Sequence, residues 1–269
     1  MQQPIAILDS GVGGLTVVKE VMRQLPQEKI VYFGDTARAP YGPRPASEVL
    51  RFTHQIVDYL LQYKPKMIVI ACNTATAAAL EEIQASVHVP VVGVISPGAR
   101  AAIKMTQTQV VGVIGTEGTI QSGAYEKALR SISPNISVSS LACPKLIPLV
   151  EKGLFEAEET YRAVETSLEP LKNEEMDCLI LGCTHFPFLT DVIGSCMGPD
   201  VNLISSADET ARDVSAILNY NGMMVQDGVV PLHRFFCSGD PYMFRRIAQL
   251  WLNEEIKVKP VIWQVPHII

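Results

Sequence analysis

Two cysteines stand where a thiol could move a proton. Met67 to Ile70 is a short apolar run that reads as a buried strand. It leads through Ala71 into Cys72, Asn73 and Thr74, where a run of small residues opens a helix. Cys178 to Gly182 repeats the pattern: an apolar run, then Cys183, Thr184 and His185 at a turn. A residue at the carboxyl end of a strand faces the crevice of an open α/β sheet. The helix N-terminus beyond it favours negative charge. The expectation for Cys72 is therefore a thiol that ionises more easily than a free cysteine. One such junction is ordinary. Two, more than a third of the chain apart, suggest an internal duplication or a pseudo-symmetric site.

Several chemistries fit two such thiols. A nucleophilic cysteine needs a base and an oxyanion hole; His185 is near Cys183, but Cys72 would then be redundant. A metal centre would want soft ligands at close spacing; no CxxC or HxxxH is present, and no metal is expected. A redox pair is conceivable for separated cysteines. The remaining reading uses both thiols as acid and base. Inverting a stereocentre by proton transfer needs one base to take a proton from one face and one acid to deliver a proton to the other. Two equivalent groups flanking one carbon do this, and two similar lobes are a natural way to place them. Asp9 and His185, a carboxylate and an imidazole beside the junctions, are candidates for setting protonation.

The elements that must position these groups alternate along the chain. Ile5 to Leu8 is a strand, Asp9 to Gly14 a glycine-rich turn, and Leu15 to Leu25 a helix closed by Pro26. The turn is not GxGxxG, since Thr16 stands at the last glycine's place, so a dinucleotide is not favoured. Asp9 and Ser10 end the first strand on the same edge as Cys72; a helix cap is the plain alternative. Lys29 to Phe33 is the next strand, followed by a shaped loop, Gly34 to Pro45, with three prolines. Ser47 is expected to cap a helix reaching Tyr63. Val89 to Ile95 reads as a strand, and Ser96-Pro97-Gly98 as a crossing between domains.

The pattern then restarts. Val110 to Ile114 is a strand, Gly115 to Thr119 a turn, and Ile120 to Ser131 a helix. Further strands fall at Ile136 to Leu141, 178–182 and Val201 to Ile204. A helix from Ala207 to Tyr220 is read as returning to the first domain. His233 to Cys237 is a strand, Asp240 caps a helix to Leu252, and Ile256 to Ile262 is an edge strand. The whole predicts an α/β fold of two pseudo-symmetric lobes with mostly parallel sheets and the site in the cleft between them. The lobes are expected at 1–97 plus 207–269, carrying Cys72, and at 98–206, carrying Cys183.

Composition narrows the function classes. The chain has 269 residues, 48% of them hydrophobic, enough for a sizeable core. A net charge of −6 argues against nucleic acid and anionic membranes as partners. No apolar run is long enough to span a bilayer. The opening MQQPIAILDS has no basic region of a signal peptide, so a cytoplasmic protein is expected. Cys143, Cys178, Cys196 and Cys237 are read as small buried fillers in a reducing compartment. Met223, Met224 and Trp251, taken as exposed, would permit a homodimer.

Four segments taken together, ILDSGVGGLTV, DTARAPYG, ACNTAT and GCTHFP, resemble the glutamate racemases of the cofactor-independent aspartate/glutamate racemase superfamily. The resemblance runs in order through nearly the whole chain. It implies interconversion of L- and D-glutamate for peptidoglycan, with Cys72 and Cys183 as the two proton donor/acceptors. Asp9-Ser10, Tyr41-Gly42, Asn73-Thr74 and Thr184-His185 match the family's substrate-binding pairs. Glu151 matches an assisting carboxylate, and Asp35 and Pro40 in the loop match assisting positions of the family. The loop is similar to that of Bacillus-type members, but many members follow PYG with a basic residue and Ser, where this chain has Pro43-Arg44-Pro45.

Glutamate fits the residues. Backbone amides and the hydroxyls of Ser10, Thr74, Thr116, Thr119 and Thr184 can hold its carboxylates without a buried arginine. Asp9 could face the ammonium or tune Cys72. No lysine sits in a motif for pyridoxal phosphate, and no cofactor is expected. Two alternatives stay open: a racemase of aspartate or another acidic amino acid, and a non-catalytic small-ligand binding protein.

Overall fold

A computed structural model describes residues 3–226 and 228–263. The first half of the alternation is β1 (Ile5–Asp9), α1 (Leu15–Gln24), β2 (Ile30–Gly34), α2 (Ala46–Leu61), β3 (Met67–Ile70), α3 (Asn73–Ser86) and β4 (Val91–Gly93). Then come α4 (Ile95–Met105), β5 (Val110–Gly115), α5 (Glu117–Gln121), α6 (Ala124–Ile132), β6 (Ser137–Ala142), α7 (Ile147–Glu151) and α8 (Glu158–Leu168). β7 (Cys178–Gly182), α9 (Thr190–Met197), β8 (Asn202–Ile204), α10 (Ser206–Tyr220), β9 (Arg234–Cys237), α11 (Pro241–Leu252) and β10 (Val258–Pro260) follow among the described residues.

The strands form two sheets, and every described pairing is parallel. The first has the order β10-β9-β2-β1-β3-β4, the second β6-β5-β7-β8. Parallel strands covered on both faces must be apolar on both faces, which is why the central strands read as unbroken apolar runs. In β1, Ile5 and Ile7 enter one core cluster and Ala6 and Leu8 the other, beneath α2 and α3. In β7, Cys178 and Ile180 face one cluster while Leu179 and Leu181 face another. α10 leaves β8 of the second sheet and packs against both α1 and α4, joining the two lobes. Among the described residues no helix is long and apolar enough to cross a membrane.

Several expectations need correction. Ser96-Pro97-Gly98, read as a crossing between domains, is helical: it lies in the first turn of α4, which runs from β4 of the first sheet to β5 of the second, and Pro97 lacks only an N–H that would have no partner within the helix. The helix expected over Ile120 to Ser131 is two helices, because Gly123 adopts a left-handed φ of 63° between them. Ser47 does not cap α2, whose N-cap is Pro45 with no side-chain bond. Asp240 does cap α11.

Met223, Met224 and Trp251 are not exposed. All three are half-buried against the core, and Trp251 packs at a tilt of 39° against Phe188, 4.1 Å between centroids. The methionine segment is held by a buried ion pair: Lys66 Nζ lies 2.6 Å from Glu28 Oε2 and donates to the Met223 carbonyl, while Glu28 Oε1 accepts from Val225 N–H at 2.9 Å. That removes the ground on which those residues suggested a dimer face. Of the four filler cysteines, Cys143, Cys178 and Cys237 are buried and Cys196 is half-buried.

Candidate active site

The carboxyl ends of β1, β2 and β3 in one sheet and of β5 and β7 in the other converge on one cavity of about 320 Å³. This is where ligands sit in parallel α/β sheets. Cys72, one residue beyond the Ala71 that follows β3, and Cys183, immediately after β7, both line it, one supplied from each sheet.

Cys72 is the N-cap of α3. Its Sγ accepts from the Ala75 N–H at 3.4 Å, and its thiol donates to Ser10 Oγ at 3.7 Å. The easier ionisation expected at a helix start does not follow. Burial, and next the Asp9 carboxylate, push the Cys72 thiol up to about 12, against the smaller help of Ala75 and Ser10. Cys72 therefore holds its proton at neutral pH.

Cys183 has a different neighbourhood. His185 Nδ1 lies 3.7 Å from its Sγ, and His185 Nε2 lies 2.6 Å from Glu151 Oε1, at the end of α7. Burial works against a charged imidazole here. The hydrogen bonds and charges of Cys183 and Glu151 outweigh it and hold His185 well above the usual histidine range. Burial likewise opposes ionisation of Glu151, yet the bond and charge of His185 hold it below the ordinary carboxylate range. The Glu151 and His185 side chains also line the cavity.

Asp9 sits behind this pair. It is fully buried, accepts from Gly11 N–H at 2.9 Å and from the Thr184 hydroxyl at 3.1 Å, and does not line the cavity. Burial raises its pKa, and the His185 charge opposes that rise. The turn after β1 approaches the Cys183 turn closely: a Cβ on Gly13 would lie 2.3 Å from Thr184 Oγ1 and 2.9 Å from the Thr184 carbonyl carbon. Only glycine allows that contact.

The polar wall is built from hydroxyls and amides. Thr116 caps α5 and accepts from the Thr119 N–H. Its hydroxyl lies 2.9 Å from that of Thr74, so the two lobes meet through side chains here. Thr119 is bonded to both hydroxyls but lies behind them, outside the cavity lining. Asn73 lines the cavity and accepts at Oδ1 from the Tyr125 hydroxyl at 2.7 Å, while its buried Nδ2 has no protein partner. Ser10, Tyr41, Gly42 and Thr184 also reach the cavity, although the Tyr41 hydroxyl is turned away onto Asp35.

Sequence reasoning missed Thr36, Glu117, Pro144, Ile147 and Pro148, which complete the walls. It also missed Tyr125, which holds Asn73 from the other lobe. Only Pro144 before α7 and Pro148 in its first turn gave any local sign of a shaped wall. Among the described residues no group of histidine, cysteine or carboxylate side chains is arranged to hold a metal ion.

Comparison with known proteins matches residues 10–214 to the family model described as Asp/Glu/Hydantoin racemase. A glutamate racemase of Exiguobacterium sibiricum is 51% identical over 262 residues, 97% of each chain. One of Bacillus cereus is 53% identical over 96% of each chain. Among solved structures, the glutamate racemase isoform RacE1 of Bacillus anthracis superposes with a TM-score of 0.93 at 49% identity, over 96% of this chain and 97% of that one. The glutamate racemase of Francisella tularensis, solved in complex with D-glutamate, gives 0.90 at 33% identity over 97% of each.

Proposed function

The chain belongs to the Asp/Glu/hydantoin racemase family, and from that premise we propose that it interconverts L- and D-glutamate by two-base proton transfer, with Cys72 and Cys183 as the acid and base. The observation that carries the reading is the pair of thiols, one from each sheet, lining a single cavity. Relatives about 50% identical over nearly their whole length supply the substrate. The same reading divides the chain into a lobe of 1–97 plus 207–269 and a lobe of 98–206, places it in the cytoplasm, and gives its product to peptidoglycan synthesis.

The proton inventory follows from the two neighbourhoods. With His185 as imidazolium, Cys183 acts as thiolate and removes the α-proton: an S–H bond forms, the C–H bond breaks, and the electron pair passes into the α-carboxylate system. Cys72, protonated at rest, donates its proton to the opposite face and becomes the thiolate. The reverse direction exchanges the roles, and return to the starting state needs one proton moved back across the site. The carbanion carries extra negative charge on the α-carboxylate. Donors already fixed there act most strongly at that moment: the unpartnered Asn73 Nδ2, the hydroxyls of Thr74 and Thr116, and the backbone N–H groups at the start of α3. Asp9, behind Thr184, raises Cys72 and faces the His185 charge, so it helps keep the proton on Cys72.

The test is incubation of the purified, reduced chain with L-glutamate in D2O, followed by optical rotation and α-proton NMR. Loss of rotation with deuterium entering at the α-carbon is expected. Turnover of aspartate in preference to glutamate would overturn the substrate, and absence of exchange with any acidic amino acid would overturn the chemistry.

A further inference from the structure

The loop after β2 carries Thr36, Ala39, Pro40, Tyr41 and Gly42 to the cavity wall. It also makes a closing contact between the lobes: Gly118 N–H, in α5, donates to the Gly42 carbonyl at 2.8 Å. What holds this loop in shape is Asp35, whose side chain is fully buried. Its two oxygens are used by different parts of the chain. Oδ2 accepts from Arg38 Nε at 2.6 Å and from the Tyr41 hydroxyl, both within the loop. Oδ1 accepts from Ser238 Oγ at 2.7 Å and from Trp263 Nε1 at 2.8 Å, both from the far end of the sequence.

Trp263 touches the loop a second time. The Arg38 guanidinium lies between two rings, 4.1 Å from the centroid of Phe52 and 4.2 Å from that of Trp263. Such a cation between aromatic faces is held in orientation as well as in place. The turn after β9 adds two more bonds to the same loop: Ala37 N–H donates to Ser238 Oγ, and Gly239 N–H to Thr36 Oγ1. A buried carboxylate that loses a donor retains its desolvation cost, so the loop's conformation is coupled to whether Ser238 and Trp263 are in position.

We propose that Trp263 and Ser238 are positioning residues for substrate binding, acting through Asp35 and Arg38 to hold Tyr41 and Gly42 against α5 over the bound amino acid. This rests on the reading of the site as a racemase cavity. It assigns a role to the last described residues of the chain, which do not line that cavity.

Trp263→Phe keeps a ring beside Arg38 and removes only the N–H. Its expected effect is a rise in KM for both enantiomers of about threefold to tenfold, with kcat within twofold and the melting temperature little changed. Ser238→Ala removes the second donor at the same Asp35 oxygen together with the acceptor of Ala37 N–H, and repeats the test independently of how well the ring is accommodated. In an Asp35→Asn background, where Oδ1 no longer belongs to a carboxylate, each substitution is expected to add less than it does alone. Unchanged KM in both single variants overturns the proposal. So does a loss of activity that tracks the fraction of unfolded protein with KM constant, which is the behaviour of a merely structural contact. A wild-type chain that fails to racemise glutamate overturns the functional reading instead, so the two failures are distinct.

Discussion

His185 Nε2 and Glu151 Oε1 lie 2.6 Å apart, and the opposite ring nitrogen of His185 faces Cys183 Sγ at 3.7 Å. The carboxylate thus stands behind the imidazole, and the imidazole stands between it and the thiol. Burial alone would leave His185 neutral; Cys183 and Glu151 reverse that and raise it. A raised histidine contributes its stabilisation at low pH and loses it as pH rises through the folded-state value. The lowered Glu151 does the opposite, losing its contribution as pH falls. The pair is therefore intact between those two limits. Glu151→Gln leaves the burial and removes the charge, so His185 should release its proton at lower pH. The alkaline limb of kcat/KM should move toward acid, and kcat at neutral pH should fall on the order of tenfold. An unmoved alkaline limb would show that Glu151 does not govern His185.

Replacing either thiol should stop racemisation with the fold kept. Cys72→Ser and Cys183→Ser preserve shape but leave a hydroxyl too weak an acid to share protons with the α-carbon. A loss of about a hundredfold to ten-thousandfold is expected for each, with circular dichroism unchanged. Full turnover in either variant would refute the two-base assignment.

Gly13 is neither acid nor base, yet its substitution should be nearly as damaging. The new methyl group of Gly13→Ala meets the backbone and hydroxyl of Thr184, so the Cys183–His185 turn must move. Displacement of a reacting group by about 1 Å can cost roughly a hundredfold in rate. Steady-state kinetics that match wild type would mean the turn absorbs the methyl group without moving the thiol.

Tyr125→Phe removes the hydroxyl that fixes the Asn73 amide. Without it the amide is free to rotate, and Nδ2 no longer faces the cavity in every molecule. KM should rise about threefold to tenfold while the pH profile keeps its shape. Isothermal titration with D-glutamate provides the direct check: affinity equal to wild type would remove Tyr125 from the binding apparatus.

Away from the site, Lys66→Met strands the Glu28 carboxylate in the core beside the Met223 segment. Breaking one partner of a buried pair typically costs about 3–5 kcal/mol. Urea unfolding should show a loss of that order, with kcat of the folded fraction unchanged. A loss below about 1 kcal/mol would imply that Glu28 finds another donor or takes up a proton.

Much of this molecule is legible locally. Unbroken apolar runs mark β1, β3, β5 and β7 because both faces of each strand are covered, and the residues after β3 and β7 identify the two thiols. What local reading misplaces is depth. Asp9 and Thr119 have the right chemistry at the right edge, but each lies one layer behind the cavity, a distinction set by side-chain packing from the other lobe. The acidity of Cys72 escapes local reading for the same reason: a helix start is visible in sequence, whereas burial and the Asp9 charge arise only when β1 and β3 lie side by side. Ser238 and Trp263 meet Asp35 from 203 and 228 residues away along the chain, and no spacing rule reaches that far.

The placement of β9 and β10 has a consequence for synthesis. The first sheet takes β1 early in this sequence and β9 and β10 after residue 233, whereas the second has all four of its described strands by Ile204. A growing chain that has just cleared Ile204 therefore holds an entire second sheet beside a first sheet with β2 still an open edge, where β9 will later pair. Until β9 arrives, that edge is free to pair with another nascent chain. A message truncated before Arg234 would yield protein in which both thiols are present but the sheet that positions one of them is unfinished.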